Sequence, residues 1–225
     1  MVARSRMIGT LVAALLFVAA CSAGASVAPT TTLPPALPAG AYTSNVFRPP
    51  VTVTLPDGWL IAGDTIDYFA VRPVTTDVLG IHVFRSPRPA LQDSDCPLAA
   101  APDVGTSARE IVDWIRARPG LVTSEPVTVT RGGLAGLQVD LAIVGGWSAS
   151  CPFAEGLPTV PLFVSAAPDG YRWVVAGGER LRLEVLDVPG DGTIVVDIDD
   201  FNGSLMDEFL PAATPIVESL RFGLS

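Results

Sequence analysis

Residues 106–120, TSAREIVDWIRARPG, carry the clearest helical pattern in the chain. Ala108, Ile111, Val112, Trp114 and Ile115 recur at three- and four-residue spacing, which gathers them on one helix face. Arg109, Glu110, Asp113 and Arg116 take the other face, with Arg109 and Asp113 at ion-pair spacing. Ser107 with Glu110 three residues on predicts a capping box, and Pro119-Gly120 ends the run. A second helical pattern lies in SLMDEFLPAATPIVESLRF, residues 204–222, where Phe209, Ala213, Ile216, Val217 and Leu220 share a face. Ser204 is its expected cap. Pro211 and Pro215 each lack a backbone donor, so the helix is expected to bend or split.

The remaining pattern has the period of strands. VTVTL (51–55) alternates and runs into the turn Pro56-Asp57-Gly58 before Trp59. DYFAVRP (67–73) and GIHVFRS (80–86) follow. PVTVTRGGLAGLQVDLAIV (126–144) reads as a hairpin turning at Arg131-Gly132-Gly133. YRWVVAGG (171–178), RLRLEVLDV (180–188) and TIVVDID (193–199) complete the set, and RLRLEV predicts one wet face and one dry face. The proline-rich stretches around Cys96 and Cys151 read as loops. Strands, helix, hairpin, strands and helix in that order predict an α+β fold, a central antiparallel β-sheet with helices packed on it.

Ahead of this domain the pattern changes. Arg4 and Arg6 precede an apolar run from Met7 to Ala20. That run is shorter than the roughly 20 residues of a bilayer span and suits the apolar region of a signal peptide. Val18-Ala19-Ala20-Cys21 resembles the lipobox of bacterial lipoproteins. The resemblance implies cleavage before Cys21 and a diacylglycerol on its sulfur, so that residues 1–20 are a leader and acyl chains hold the protein on the membrane. The competing reading is ordinary signal cleavage among Ala23, Gly24 and Ala25, which leaves no anchor. Residues 21–45 then form the lipidated cysteine and a Pro/Thr/Ala-rich tether, and 46–225 a single globular domain.

Composition narrows the partners. The net charge is −9, and loss of Arg4 and Arg6 with the leader makes it more negative still. An acidic domain is repelled by phosphate backbones, which excludes nucleic acid. All 14 basic residues are Arg. With Cys21 assigned to lipid, Cys96 and Cys151 are expected to pair as a disulfide in an oxidising compartment. A free redox thiol and half a metal site are the alternatives, the second disfavoured because neither cysteine has a second Cys or a His nearby.

VTVTLPDGW, RGGLAGLQVDL, WVVAGGERLRLEVLDVPGDGTIVVDID and the closing ESLRF together resemble secreted lipoproteins of actinobacteria with a PsbP-like fold. The resemblance covers most of residues 46–224. It implies an α/β/α sandwich around an antiparallel sheet and a protein that docks onto other proteins. It brings no catalytic set with it.

The acidic stretch DIDDFNGSLMDEF (197–209) nearly fits an EF-hand loop, but the first and twelfth positions fall on Ile198 and Phe209. An irregular divalent-cation site from Asp199, Asp200 and Asn202 is the remaining metal reading, against a strand end leading to a helix cap. His82 is the single histidine, set between Ile81 and Val83 as a packed strand residue. No Ser–His–Asp signature, zinc motif or phosphate-binding loop is present, so no cofactor and no catalysis are expected. Trp59, Trp114 and Trp173 read as core, and Trp147, among Gly145, Gly146 and Ser148, as an exposed ring for partner contact. The expected function is therefore a membrane-anchored, extracytoplasmic docking module for an envelope protein. The alternatives are a carrier or sensor of a small apolar or lipidic ligand, and a hydrolase built on paired carboxylates.

Overall fold

A computed structural model describes residues 35–165 and 170–224. The expected leader, Cys21 and the first part of the expected tether lie outside the described residues. The chain enters with β1 (Gly40–Thr43), β2 (Val51–Leu55), β3 (Trp59–Asp64), β4 (Tyr68–Pro73), β5 (Leu79–Arg85) and the short β6 (Arg88–Pro89). Helix α1 (Ala108–Arg116) follows, then β7 (Leu121–Thr123), β8 (Val127–Arg131), β9 (Leu134–Ile143) and β10 (Thr159–Val164). The last elements are β11 (Arg172–Ala176), β12 (Arg180–Asp187), β13 (Thr193–Asp200), α2 (Met206–Glu218) and β14 (Arg221–Phe222).

The main sheet has eight antiparallel strands in the order β3-β4-β5-β13-β12-β9-β7, with β8 also paired to β9. Side-chain alternation along β13 builds two cores, one on each face. Ile194, Val196 and Ile198 meet Met206, Phe209, Ala213 and Ile216 of α2, together with Val51, Val53 and Leu55 of β2. Val195 instead meets Ile111, Trp114 and Ile115 of α1, together with Leu162, Phe163 and Val175. Each face therefore carries one helix and one three-stranded sheet: β1-β2-β14 beside α2, and β11-β10-β6 beside α1. The antiparallel sheet and packed helices match the sequence expectation, with more strand than expected.

Ser107 accepts from the Glu110 amide while the Glu110 carboxylate receives the Ser107 amide, so the predicted capping box is formed. Four expectations are corrected. Pro211 and Pro215 do not break α2, which runs unbroken from Met206 to Glu218. The two prolines stand four residues apart on its exposed side, so the missing donors are not buried in the core. Leu205, not Ser204, occupies the cap, and its amide is held by Asp200 Oδ2. The folded part begins before residue 46, because β1 pairs with β2 and Leu37 bridges Trp59. Residues 159–164, within a segment read as loop, form β10, whose pairing with β11 shifts register beside Pro161.

Cys96 and Cys151 form the expected disulfide, with their Cα atoms 5.6 Å apart. It joins the loop after β6 to the loop before β10.

Candidate functional site

The β13–β5 register sets Asp197 opposite His82 and Asp199 opposite Gly80. These residues lie on the α1 side of the sheet, yet no helix covers them. The hairpin of β10 and β11 lies over them instead and leaves a cleft of about 330 Å³. Gly80, His82 and Asp199 line the cleft from the sheet side, Trp173 and Val174 from β11, and Glu179 from the β11–β12 turn.

His82 joins two elements. Its Nε2 lies 3.0 Å from Asp199 Oδ1 and its Nδ1 2.8 Å from the Tyr68 hydroxyl. Burial, reinforced by Asp199 and Asp197, raises the Tyr68 phenol above its ordinary range, so it keeps its proton and donates. Nε2–H then donates to Asp199, and both ring nitrogens are engaged. Gly80 makes room for this pair: a Cβ there would lie 2.5 Å from His82 Nε2 and 2.8 Å from Asp199 Oδ1.

Three carboxyl groups gather beneath the hairpin. Asp197 is fully buried; Oδ2 accepts from the Trp173 indole Nε1 at 2.8 Å, and Oδ1 has no hydrogen-bond partner. Asp199 is 7 % exposed and Glu179 3 %. Glu179 Oε2 accepts the Ala176 amide at 2.7 Å. Burial pushes Glu179 up to about 8; the Ala176 hydrogen bond opposes this, and the charges of Asp199 and Asp200 add to it. Asp197 is raised well above the carboxylate range by burial, then by Asp199 and Glu179. Among the described residues no arginine pairs with any of the three. Arg72 and Arg172 line the same cleft but are turned to other partners. The Arg72 guanidinium donates to the carbonyls of Pro73 and Thr76, and that of Arg172 lies 4.8 Å from the Phe153 ring centre.

The walls are aromatic. The Trp173 ring centre is 4.6 Å from that of His82 and 4.9 Å from that of Phe84. Phe201 is exposed at the cleft rim. Phe153 and Leu157 are also exposed, the first under Arg172 and the second beside Gly177, next to the cleft residue Ala176.

Asp199 and Asp200 point to opposite faces of β13, and Asp200 is occupied by the amides of Asn202 and Leu205. The proposed trio of Asp199, Asp200 and Asn202 therefore does not converge. Among the described residues no group of three His, Cys, Asp or Glu is placed to hold a metal ion. The Trp147 ring is folded back rather than free: its Nε1 donates to the Thr159 carbonyl at 2.9 Å, and Gly120 packs against it. It walls a separate cleft of about 380 Å³ with Cys96, Arg118, Pro119, Val160 and Pro161. Trp59 is core, stacked on Phe209, and Trp114 is buried on α1. Sequence reasoning missed the cleft. Glu179 belongs to no chemical motif, and His82 and Asp199 stand 117 residues apart.

No protein-family model matches the sequence, and no curated protein matches it. Two solved structures share its chain path in part. Cyanobacterial PsbP (CyanoP) from Synechocystis is 9 % identical with a TM-score of 0.42, over 87 % of this chain and 99 % of that one. A protein from Bacteroides thetaiotaomicron is 10 % identical with a TM-score of 0.35, over 78 % of this chain and 46 % of its own, so this chain spans about half its length. Neither brings a functional residue to this chain.

Proposed function

We propose that this chain is a cell-envelope lipoprotein, held on the extracytoplasmic side of the membrane by lipid on Cys21, and that its domain is a non-catalytic docking module. The docking face is the mouth of the Trp173–His82 cleft. The observation that carries this reading is exposed Phe201 at the rim of a cleft lined by the buried carboxyl groups of Asp199 and Glu179, with exposed Phe153 beside the cleft residue Arg172. Exposed aromatic anchors beside a pocket are the usual make-up of a contact hot spot. The net charge of −9 favours a partner with a basic surface. The two domain cysteines are locked in a disulfide, so neither is a thiol nucleophile.

Two experiments test this. Cys21→Ala is expected to release the protein from membranes; continued retention of the unacylated variant overturns the anchor. A photo-crosslinking residue at Phe153 in the full-length protein, expressed in its native cell, is expected to give one discrete envelope product that Phe201→Asp abolishes. A diffuse product pattern unaffected by that change overturns the docking face.

The Trp147 cleft favours a second reading, a carrier of a small apolar or lipidic ligand, because its walls are mostly apolar and its volume suits one. Saturable quenching of tryptophan fluorescence by a fatty acid, lost in Trp147→Ala, would support it.

A further inference from the structure

Buried carboxyl groups without cationic partners are costly, and proteins resolve that cost by holding a proton or by receiving a cation. In this cleft Glu179 is nine-tenths buried, lines the cavity, and spends only Oε2 on a backbone amide. Its Oε1 accepts no hydrogen bond from any described residue. Asp199 spends Oδ1 on His82, and Asp197 Oδ1 lies orphaned behind the Trp173 ring. The carboxyl groups that line the cavity are thus Asp199 on β13 and Glu179 on the β11–β12 turn, while Asp197 is buried and lies outside its lining.

We propose that the cleft receives the side-chain ammonium of a lysine presented by the docked partner. The inference rests on the docking reading above. Three features select this cation. No described group of ligands fits a metal ion. An ammonium is a compact charge with three freely directed donors, suited to carboxyl groups carried on two separate elements, whereas a guanidinium fork wants one carboxylate side-on. The walls complement the rest of a lysine. Leu79, Ala62, Val174 and Ala176 offer apolar surface to a methylene stem, and the Trp173 face suits a cation. The lysine comes from another protein, because this chain contains none.

Binding is linked to protons. Seven groups face the cleft or act on its carboxyls: Arg72 on β4, Asp77 before β5, His82 on β5, Arg172 on β11, and Asp197, Asp199 and Asp200 on β13. Glu179 is half-protonated near pH 8 when the cleft is empty. An ammonium beside it favours the carboxylate, so binding releases a proton and tightens as pH rises toward 8.

The probes are Nα-acetyl-lysine methylamide, its arginine and norleucine counterparts, and putrescine, each titrated into the full-length protein. The readouts are the Trp173 indole N–H and His82 ring NMR signals, with calorimetry in two buffers to count protons. The lysine compound is expected to saturate both signals, to bind about tenfold more tightly at pH 8 than at pH 6.5, and to release a proton. Glu179→Gln and, independently, Asp199→Asn are each expected to weaken it at least tenfold while the remaining spectrum stays folded. Norleucine binding as well as lysine, no saturation by the lysine compound, or binding unchanged in a folded Glu179→Gln protein each overturns the assignment. Saturation by putrescine alone moves the cleft to free amines and also overturns it. A discrete crosslinked partner insensitive to Glu179→Gln leaves the docking face standing and removes the lysine; amine binding without a partner does the reverse.

Discussion

Trp173 Nε1 donates to Asp197 Oδ2 at 2.8 Å, the one hydrogen bond that reaches this buried carboxyl group from a described side chain. The bond ties β11 to β13, which share no backbone pairing. Trp173→Phe keeps an aromatic ring over the cleft but leaves Asp197 without that donor. We expect a loss of about 1–3 kcal/mol in urea unfolding, the usual penalty for stranding a buried polar group. A change below about 0.3 kcal/mol would show that the bond does not hold the hairpin down.

Stability is expected to fall as pH rises across the neutral range. Glu179 keeps its proton in the fold to about 8, whereas an unfolded glutamate ionises near 4.3. Below roughly pH 4 both states are protonated; between there and 8 the unfolded state alone gives up the proton, and above 8 the loss is complete. Asp197 contributes in the same sense, its pKa being raised as well. Glu179→Gln is expected to flatten the stability–pH curve and to be the more stable form at pH 8, by on the order of 2 kcal/mol. Parallel curves for the two proteins would count against the buried-acid assignment.

Gly80 leaves space for the His82–Asp199 pair. Gly80→Ala is expected to displace the imidazole and shift its NMR signals, with a modest cost in stability of about 1–2 kcal/mol from overpacking. Unmoved His82 resonances in the folded variant would contradict that geometry.

Cys96 and Cys151 lie 55 residues apart, so opening the bridge frees a long loop in the unfolded chain. The double variant Cys96→Ser, Cys151→Ser is expected to lose about 2–5 kcal/mol, measured by thermal or urea unfolding against the oxidised parent. An equal loss when the parent is reduced would assign the effect to the bridge rather than to the serines.

How far the sequence revealed the molecule follows from what each signal depends on. Helix α1 was legible because its cap, its apolar face and its stop are all local. The β8–β9 hairpin was legible from its Arg131-Gly132-Gly133 turn. β10 was hidden because Pro161 stands inside it, and a strand tolerates that proline only where its pairing slips. The unbroken α2 was missed because the harm done by Pro211 and Pro215 depends on which side they face. The cleft was the least legible part. His82 and Asp199 meet only through the register of β5 against β13, and Glu179 arrives from a turn whose burial is set by the hairpin above it.

That hairpin forms a sheet of its own with β6 and rests on the main sheet through side chains, with Trp173, Tyr171 and Phe84 in contact. Its seating therefore governs how much water reaches the carboxyl groups beneath. Any change that loosens it, even one far along β10, would rehydrate Glu179 and drop its titration midpoint toward that of an ordinary glutamate. One acid thus serves as a built-in gauge of lid tightness, readable by a simple titration in variants whose folds look alike by every coarser measure.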